Sequence, residues 1–267
     1  MTYADTIRWV TALPVYNEVR HVREVLKQVL QYSPEVLVID DGSTDGTDEV
    51  LKEFSQIKVL THRPNKGYGA ALRTAFDYAV QQGYDAVVTI DSDGQHQPGL
   101  IRQFVDATEE ADIVSGSRYL ANLPGDSPAP EERRRINRRL TDELNHRLGF
   151  DLTDAFCGFK AYRGEALAKL DLVENGYAMP LELWVQASSL KLVVKELPVP
   201  RIYLDEARSF GGALDDGATR LEYYHLTVDR SLARIAEAGW HVPCSSGLVT
   251  AACGAELPPV PPTCPTK

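Results

Sequence analysis

V-V-T-I-D-S-D-G-Q-H-Q-P, Val87 to Pro98, is an apolar run that ends abruptly in two carboxylates separated by one residue. A buried strand delivers charge to a sheet edge in this way, and in an open α/β sheet ligands collect beyond the carboxyl ends of the strands. Asp91, Asp93 and Gln95 are therefore expected to face a crevice. Oxygen ligands at alternate positions suit a hard divalent cation, Mg2+ or Mn2+, which needs only one or two carboxylates because substrate phosphates complete its shell. Taken alone, the pattern also fits a solvated turn after a strand.

Upstream of this stretch, strand and helix patterns alternate. Trp9 to Val15 reads as a buried strand, followed by Y-N-E; Val22, Val25, Leu26, Val29 and Leu30 then recur at helical spacing. Val36 to Ile39 is the next apolar run and ends in Asp40, Asp41, Gly42 and Ser43, with a helix starting near Thr44. Ile57 to Leu60 gives a third strand, and Lys66 to Gln82 a third helix. Regular alternation of this kind implies an α/β fold with a mainly parallel central sheet flanked by helices and joined by right-handed crossovers.

Three of these strands end in acidic residues, at Glu18, at Asp40 and Asp41, and at Asp91 and Asp93. In a parallel sheet such ends converge on one edge, which is the main reason to expect a site there. Asp40 and Asp41 suit hydrogen bonds from a base or ribose, and D-G-S-T-D equally suits helix capping. N-K-G-Y-G-A-A, Asn65 to Ala71, opens the third helix with two glycines and a lysine. Its backbone N–H groups and Lys66 could attract phosphate, although the run is neither G-x-G-x-x-G nor a Walker A loop and also reads as a plain helix start.

Downstream, a helix runs from Pro98 to about Glu110, and Asp112 to Tyr119 forms a strand that brings Arg118 to the same edge as a candidate anion contact. Leu120 to Pro130, with three prolines and a glycine, reads as a loop able to cover the site. Glu131 to Leu148 carries Ile136, Leu140, Leu144 and Leu148 at steps of four among arginines. Such a helix either lies on an anionic membrane surface or packs its stripe on the sheet. Leu152 to Arg163 reads as a turn and a strand, Tyr177 to Leu190 as a helix with Glu182 in its first turn, and Val193 to Val199 as a last strand. Arg201 and Arg208 follow it, then a final helix over about 216–238.

Composition narrows the function classes. The 267 residues suit one domain, taken as 1–239, with a Pro- and Cys-containing tail at 240–267 to which no fold is assigned. A net charge of -10 argues against a general nucleic-acid binder. No apolar run approaches a membrane span and no secretion signal is evident, so a cytoplasmic location is expected. Cys157, Cys244, Cys253 and Cys264 lack metal-site spacing and are read as free thiols.

P-V-Y-N-E at 14–18, V-I-D-D-G-S-T-D-G-T at 38–47, N-K-G-Y-G-A-A-L at 65–72 and I-D-S-D-G-Q-H-Q-P at 90–98 together resemble family 2 glycosyltransferases of the GT-A fold. G-S-R-Y at 116–119, R-R-x-I-N-x-x-L from Arg133 onward and T-D-A-F-C-G-F-K at 153–160 are similar to the dolichyl- and polyprenyl-phosphate sugar transferases within that family. The resemblance spans about Trp9 to Gly212. It implies that Pro14, Tyr16, Glu18 and Asp41, with Asp40 close by, hold the nucleotide of a GDP- or UDP-hexose donor. Lys66, Gly67, Asp91 and Ser92 would line the nucleotide sugar, and Asp91, Asp93 and Gln95 would hold Mg2+ or Mn2+. Arg118 would meet the phosphate of a lipid acceptor, Arg201 or Arg208 the diphosphate or that acceptor, and the helix at 131–148 would lie along the bilayer as a peripheral contact. Two departures stand out. A-R-S-F-G-G at 207–212 lacks the lysine that relatives carry there, and C-G-F-K at 157–160 stands where they show S-G-F-R.

The implied chemistry is direct in-line displacement with inversion. An acceptor phosphate, ionised at neutral pH, needs no general base. A hydroxyl acceptor does, and Glu182 is the candidate for that role in an enzyme acting on a sugar hydroxyl or a small soluble acceptor. A nucleotide-sugar-binding protein without turnover is the alternative from outside enzymes.

Overall fold

All seven strands expected from the apolar runs lie in one sheet of the computed structural model, which describes residues 1–203 and 212–240. They are β1 (Trp9–Val15), β2 (Val36–Asp40), β3 (Ile57–Thr61), β4 (Ala86–Thr89), β5 (Ile113–Ser117), β6 (Lys160–Arg163) and β7 (Val194–Pro198), in the order β3-β2-β1-β4-β6-β5-β7. Every pairing is parallel except those of β6, which runs against both β4 and β5. β1, β2 and β4 are buried at every position, as strands covered on both faces must be. The two edge strands are half-buried and carry exposed Lys58 and Lys195, which discourage pairing with another chain.

Alternation along the strands divides the core into two layers. Leu13 and Val15 of β1 point to one side, where they meet α1 (Val22–Val29), α2 (Thr47–Leu51) and α4 (Ile101–Ala107) through Leu26, Val50 and Phe104. Val10 and Ala12 point to the other, against α3 (Tyr68–Gln81), α5 (Glu131–Leu148), α7 (Met179–Ser189) and α8 (Gly217–Glu237) through Phe76, Leu140, Trp184 and Tyr224. A short α6 (Gly164–Leu167), unforeseen in the sequence, follows β6.

Boundaries differ where polar residues compete with the backbone. The second helix begins at Thr47 rather than near Thr44, because the Asp45 carboxylate accepts from the N–H groups of Thr47 (3.0 Å) and Val19 (3.1 Å) and holds the preceding residues in a turn. The helix after Pro98 starts as a 3-10 turn and stops at Ala107, short of Glu110. Its neighbour Thr108 turns its hydroxyl back onto the Val105 carbonyl (2.7 Å). α5 has the bounds read from its pattern, but its stripe is inside: Ile136, Leu140, Leu144 and Leu148 are buried in the core. Insertion of that stripe into a bilayer is thereby excluded; only the arginine face is outward.

Among the described residues, no helix is long and apolar enough to cross a membrane. Cys157 is a free, fully buried thiol that burial pushes up to about 11, so it stays protonated at neutral pH. Arg208 and the other three cysteines lie outside the described residues.

Candidate active site

The acidic strand ends do converge. β1, β2, β4 and β5 finish at one sheet edge, and β6, running the other way, starts there, with Lys160 opposite Thr89. Past β4, the Ile90 N–H still bonds the Ala12 carbonyl (3.1 Å), and the buried Ser92 hydroxyl donates to the Pro14 carbonyl (3.1 Å). The D-S-D turn is thus stitched to the end of β1, which places Asp91 and Asp93 beside P-V-Y-N-E. Tyr16 is 39% exposed there, and Glu18 is buried with its N–H on the Thr47 hydroxyl (2.9 Å).

Asp91 is held from two sides, by the Tyr68 hydroxyl on Oδ1 (3.0 Å) and His96 Nε2 on Oδ2 (3.0 Å). Its carboxylate also lies on the Cα of Gly158, where an added Cβ would sit 2.2 Å from Oδ2, so any larger residue there would displace the carboxylate. Asp93 accepts from the backbone N–H of Gln95 (2.9 Å) and from its side-chain amide (3.0 Å). That contact uses the nitrogen of the Gln95 amide, so its oxygen is the atom suited to a cation. Among the described residues no group of three or more His, Cys, Asp or Glu could hold a metal by itself. Two carboxylates and an amide oxygen fit Mg2+ or Mn2+ with substrate phosphates completing the shell, and fit poorly a metal that demands nitrogen or sulfur.

Asp40 and Asp41 have separate jobs. Asp40 accepts from the Ser43 N–H (3.0 Å), which holds a turn ahead of α2; it does not cap that helix, whose N-cap Gly46 has no side-chain partner, so the capping expected of Asp40 is not what the structure shows. Asp41 is buried and accepts from His62 Nδ1 (2.6 Å), the Lys66 N–H (2.9 Å) and the Gly67 N–H (2.8 Å). The N–H groups read as a phosphate cradle at Lys66 and Gly67 are therefore spent on Asp41, and the Ala70 N–H is spent on the Asn175 carbonyl (3.1 Å). The N–H groups of Lys66, Gly67 and Ala70 are thus not left for a phosphate. The exposed Lys66 side chain remains at the rim. His62, with Nε2 on the Thr74 hydroxyl (2.8 Å), fixes Asp41, and a lone histidine after a strand carries no signal for that role.

On the other half of the edge, Arg118 forms a two-pronged pair with fully buried Asp154, Nε to Oδ2 (2.6 Å) and Nη2 to Oδ1 (2.9 Å). Asn137 of α5 donates to the same carboxylate (2.7 Å). Burial by itself would raise the Asp154 carboxyl, but the Arg118 charge and these hydrogen bonds outweigh it and hold it down at about 2. Arg201 faces the 118–130 segment, Nε to the Ser127 carbonyl (2.7 Å) and Nη2 3.5 Å from Asp126, so it straps that loop to the end of β7. Both arginines lie over the Tyr119 ring, at 5.8 and 5.7 Å from its centroid.

Glu182 departs most from expectation. It is 1% exposed, and its carboxylate accepts from the N–H groups of Val173 (2.9 Å) and Glu174 (2.7 Å), from Gln186 Nε2 (3.4 Å) and from Arg234 (3.1 Å). Burial raises its carboxyl above the ordinary value. As a first-turn residue of α7 it pins the 173–174 backbone to α8, which corrects its reading as a base presented to an acceptor hydroxyl. Asp154, His62 and Gly158 escaped the sequence reading because each acts through a partner remote in the chain.

Comparison with known proteins places this geometry. The model of a family described as glycosyl transferase family 2 matches residues 11–171. The undecaprenyl-phosphate mannosyltransferase of Micrococcus luteus is 30% identical over 235 residues, covering 83% of this chain and 96% of its own. The polyprenol monophosphomannose synthase of Mycolicibacterium smegmatis is 32% identical over 211 residues, 74% of this chain and 78% of its own. Glucosyl-3-phosphoglycerate synthase of Mycobacterium tuberculosis, solved with Mn2+, UDP and glucosyl-3-phosphoglycerate, superposes with a TM-score of 0.65 at 20% identity, over 85% of this chain and 81% of that one. That last likeness is one of fold.

Proposed function

The chain belongs to glycosyl transferase family 2, and from that premise we propose that it moves a hexose from GDP- or UDP-hexose to a polyprenyl phosphate, with inversion at the anomeric carbon. The observation that carries the choice of acceptor is the state of Glu182. The carboxylate that a hydroxyl acceptor needs as a base is taken up by four protein donors. A phosphate acceptor, with a second pKa near 6, arrives already ionised and needs none.

Asp91, Asp93 and the amide oxygen of Gln95 would hold Mg2+ or Mn2+, which when bound supplies positive charge beside the departing diphosphate. Pro14, Tyr16 and Glu18 would flank the nucleotide at the end of β1. Asp41 would act one step back, fixing the start of α3. The fork of Arg118 spends Nε and Nη2 on Asp154, so Nη1 is the group that would meet the acceptor phosphate, held in place by a partner that stays ionised. Arg201 would keep the 118–130 loop over the site; Arg208 is assigned to the acceptor or diphosphate on resemblance alone. The outward face of α5, with exposed Arg134, Arg135, Arg138 and Arg139, would rest on anionic headgroups and bring a lipid phosphate to Arg118.

The test is incubation with labelled GDP- and UDP-hexoses and polyprenyl phosphate in the presence of Mn2+. Label should enter butanol-extractable lipid and leave it in mild acid. Label found only in water-soluble glycoside, or a trapped glycosyl-enzyme, would overturn the proposal.

A further inference from the structure

The Asp91 carboxylate is the meeting point of three parts of the chain. Tyr68, the first residue of α3, donates to Oδ1 at 3.0 Å; His96, in the turn after D-S-D-G-Q, lies with Nε2 3.0 Å from Oδ2; and the lead-in to β6 presents the bare Cα of Gly158 against the same group. We propose that Tyr68 and His96 are positioning residues that set the orientation of Asp91 for a divalent cation. This rests on the reading of Asp91 as a metal ligand in the proposed function.

Both donors are themselves immobilised. The Tyr68 ring stacks on Tyr177 with centroids 5.7 Å apart and planes 21° from parallel. Its backbone is trapped between Asp41, which takes the Gly67 N–H at 2.8 Å, and the 174–175 segment. That segment comes so close that a Cβ on Gly67 would lie 2.4 Å from the Asn175 carbonyl oxygen, and one on Gly69 2.5 Å from that of Glu174. Gly67 moreover holds φ at 102°, open to glycine at little cost. The His96 side chain is 7% exposed and its ring lies 5.6 Å from Phe159. The Asp91 side chain, by contrast, is 29% exposed, so a rigid and largely buried pair of donors grips a group that reaches the crevice.

A carboxylate oxygen can accept a hydrogen bond through one lone pair and face a cation with the other. One donor on each oxygen stops rotation about the last side-chain bond and fixes where those second lone pairs point. Outer partners of metal ligands act in this way, and losing one typically costs 10- to 100-fold in metal affinity.

The experiment titrates the full chain with Mn2+ by electron paramagnetic resonance, with UDP or GDP present, and measures thermal stability and metal-free nucleotide binding in parallel. Tyr68→Phe keeps the stacked ring and removes only the donor; it should weaken Mn2+ uptake by about tenfold, with metal-free nucleotide affinity unchanged. His96→Leu should do the same, and His96→Gln, which restores an N–H donor, should recover most of the loss. Wild-type Mn2+ affinity in both Tyr68→Phe and His96→Leu overturns the inference, as does an equal loss of metal-bound and metal-free nucleotide binding, which marks a structural role. A wild-type chain that binds neither nucleotide with Mn2+ overturns the metal assignment of Asp91, and with it the proposed function.

Discussion

Asp154 shows how one residue decides what another can do. Arg118 was legible as a cation arriving at the sheet edge, because a strand pattern ends on it. Its partner was not, because the ion pair joins positions 36 residues apart through a turn whose shape no periodicity encodes. Replacing Asp154 with Asn leaves a largely buried guanidinium without its counter-charge, which costs about 3–5 kcal/mol at neutral pH. The pH dependence fixes the sign. The folded-state value of about 2 lies below the ordinary 3.8, so the stabilisation is fully present above pH 4 and is lost as pH falls toward 2. The drop of nearly two units corresponds to about 2 kcal/mol. Urea denaturation at pH 7, 4 and 3 should therefore show wild type and Asp154→Asn converging as acid is added; a constant gap would mean that the pair contributes no such linkage. Glu182 teaches the converse. A carboxylate in the first turn of a helix reads as available from sequence, and only the backbone of a separate loop reveals it as occupied.

At the scale of the element, α5 was legible in its bounds and undecided in its orientation. Apolar residues at steps of four specify a face, but whether core or lipid covers that face depends on what α7 and α8 offer in return. Leu140 and Leu144, each 1% exposed, meet those helices in the core, while Arg134, Arg135, Arg138 and Arg139 are exposed. The two faces should therefore separate under mutation. Leu144→Ala should destabilise the fold by about 2–5 kcal/mol in chemical denaturation. Replacing the four arginines together by Gln should leave stability nearly unchanged and abolish sedimentation with vesicles containing anionic lipid, since each basic residue near such a surface contributes about 1 kcal/mol. Binding of the wild type should also fall with added salt. Vesicle binding that survives the four substitutions would remove α5 from any membrane contact.

Across the whole molecule, the alternation of strands and helices specified a parallel sheet, and the acidic strand ends specified which edge carries the site. The strand order did not follow from either. β6 is short and runs backward between β4 and β5, and its direction is set by the turn at 152–159, whose Thr153 hydroxyl and Asp154 N–H are anchored on the Glu196 carboxylate of β7, rather than by its own apolar residues. The same long-range logic ties the last helix to the first half of the chain. Arg234 of α8 reaches Asp171 and Glu182; Glu182 holds the backbone at Val173 and Glu174; and the neighbouring 174–175 segment presses on the start of α3, whose Tyr68 grips Asp91. Arg234→Met tests this path at its far end. Glu182, 2% exposed at its side chain, would lose its cationic partner, and because Arg234 is about a third exposed the cost should be about 2–3 kcal/mol rather than the full value for a buried pair. Burial already raises the Glu182 carboxyl above its ordinary value, and removing the positive charge raises it further, so the folded variant takes up this proton more readily than the unfolded chain. Protonation relieves the defect, which makes the loss largest at neutral pH and progressively smaller as pH falls toward 4.5. A melting temperature that drops more at pH 7.5 than at pH 5, with the deficit shrinking when Glu182→Gln is added to Arg234→Met, is the expected signature, because the double variant no longer buries an unpaired charge. An equal deficit at both pH values, undiminished in the double variant, would show that Arg234 supports α8 through its packing alone and that the path to α3 does not run through Glu182.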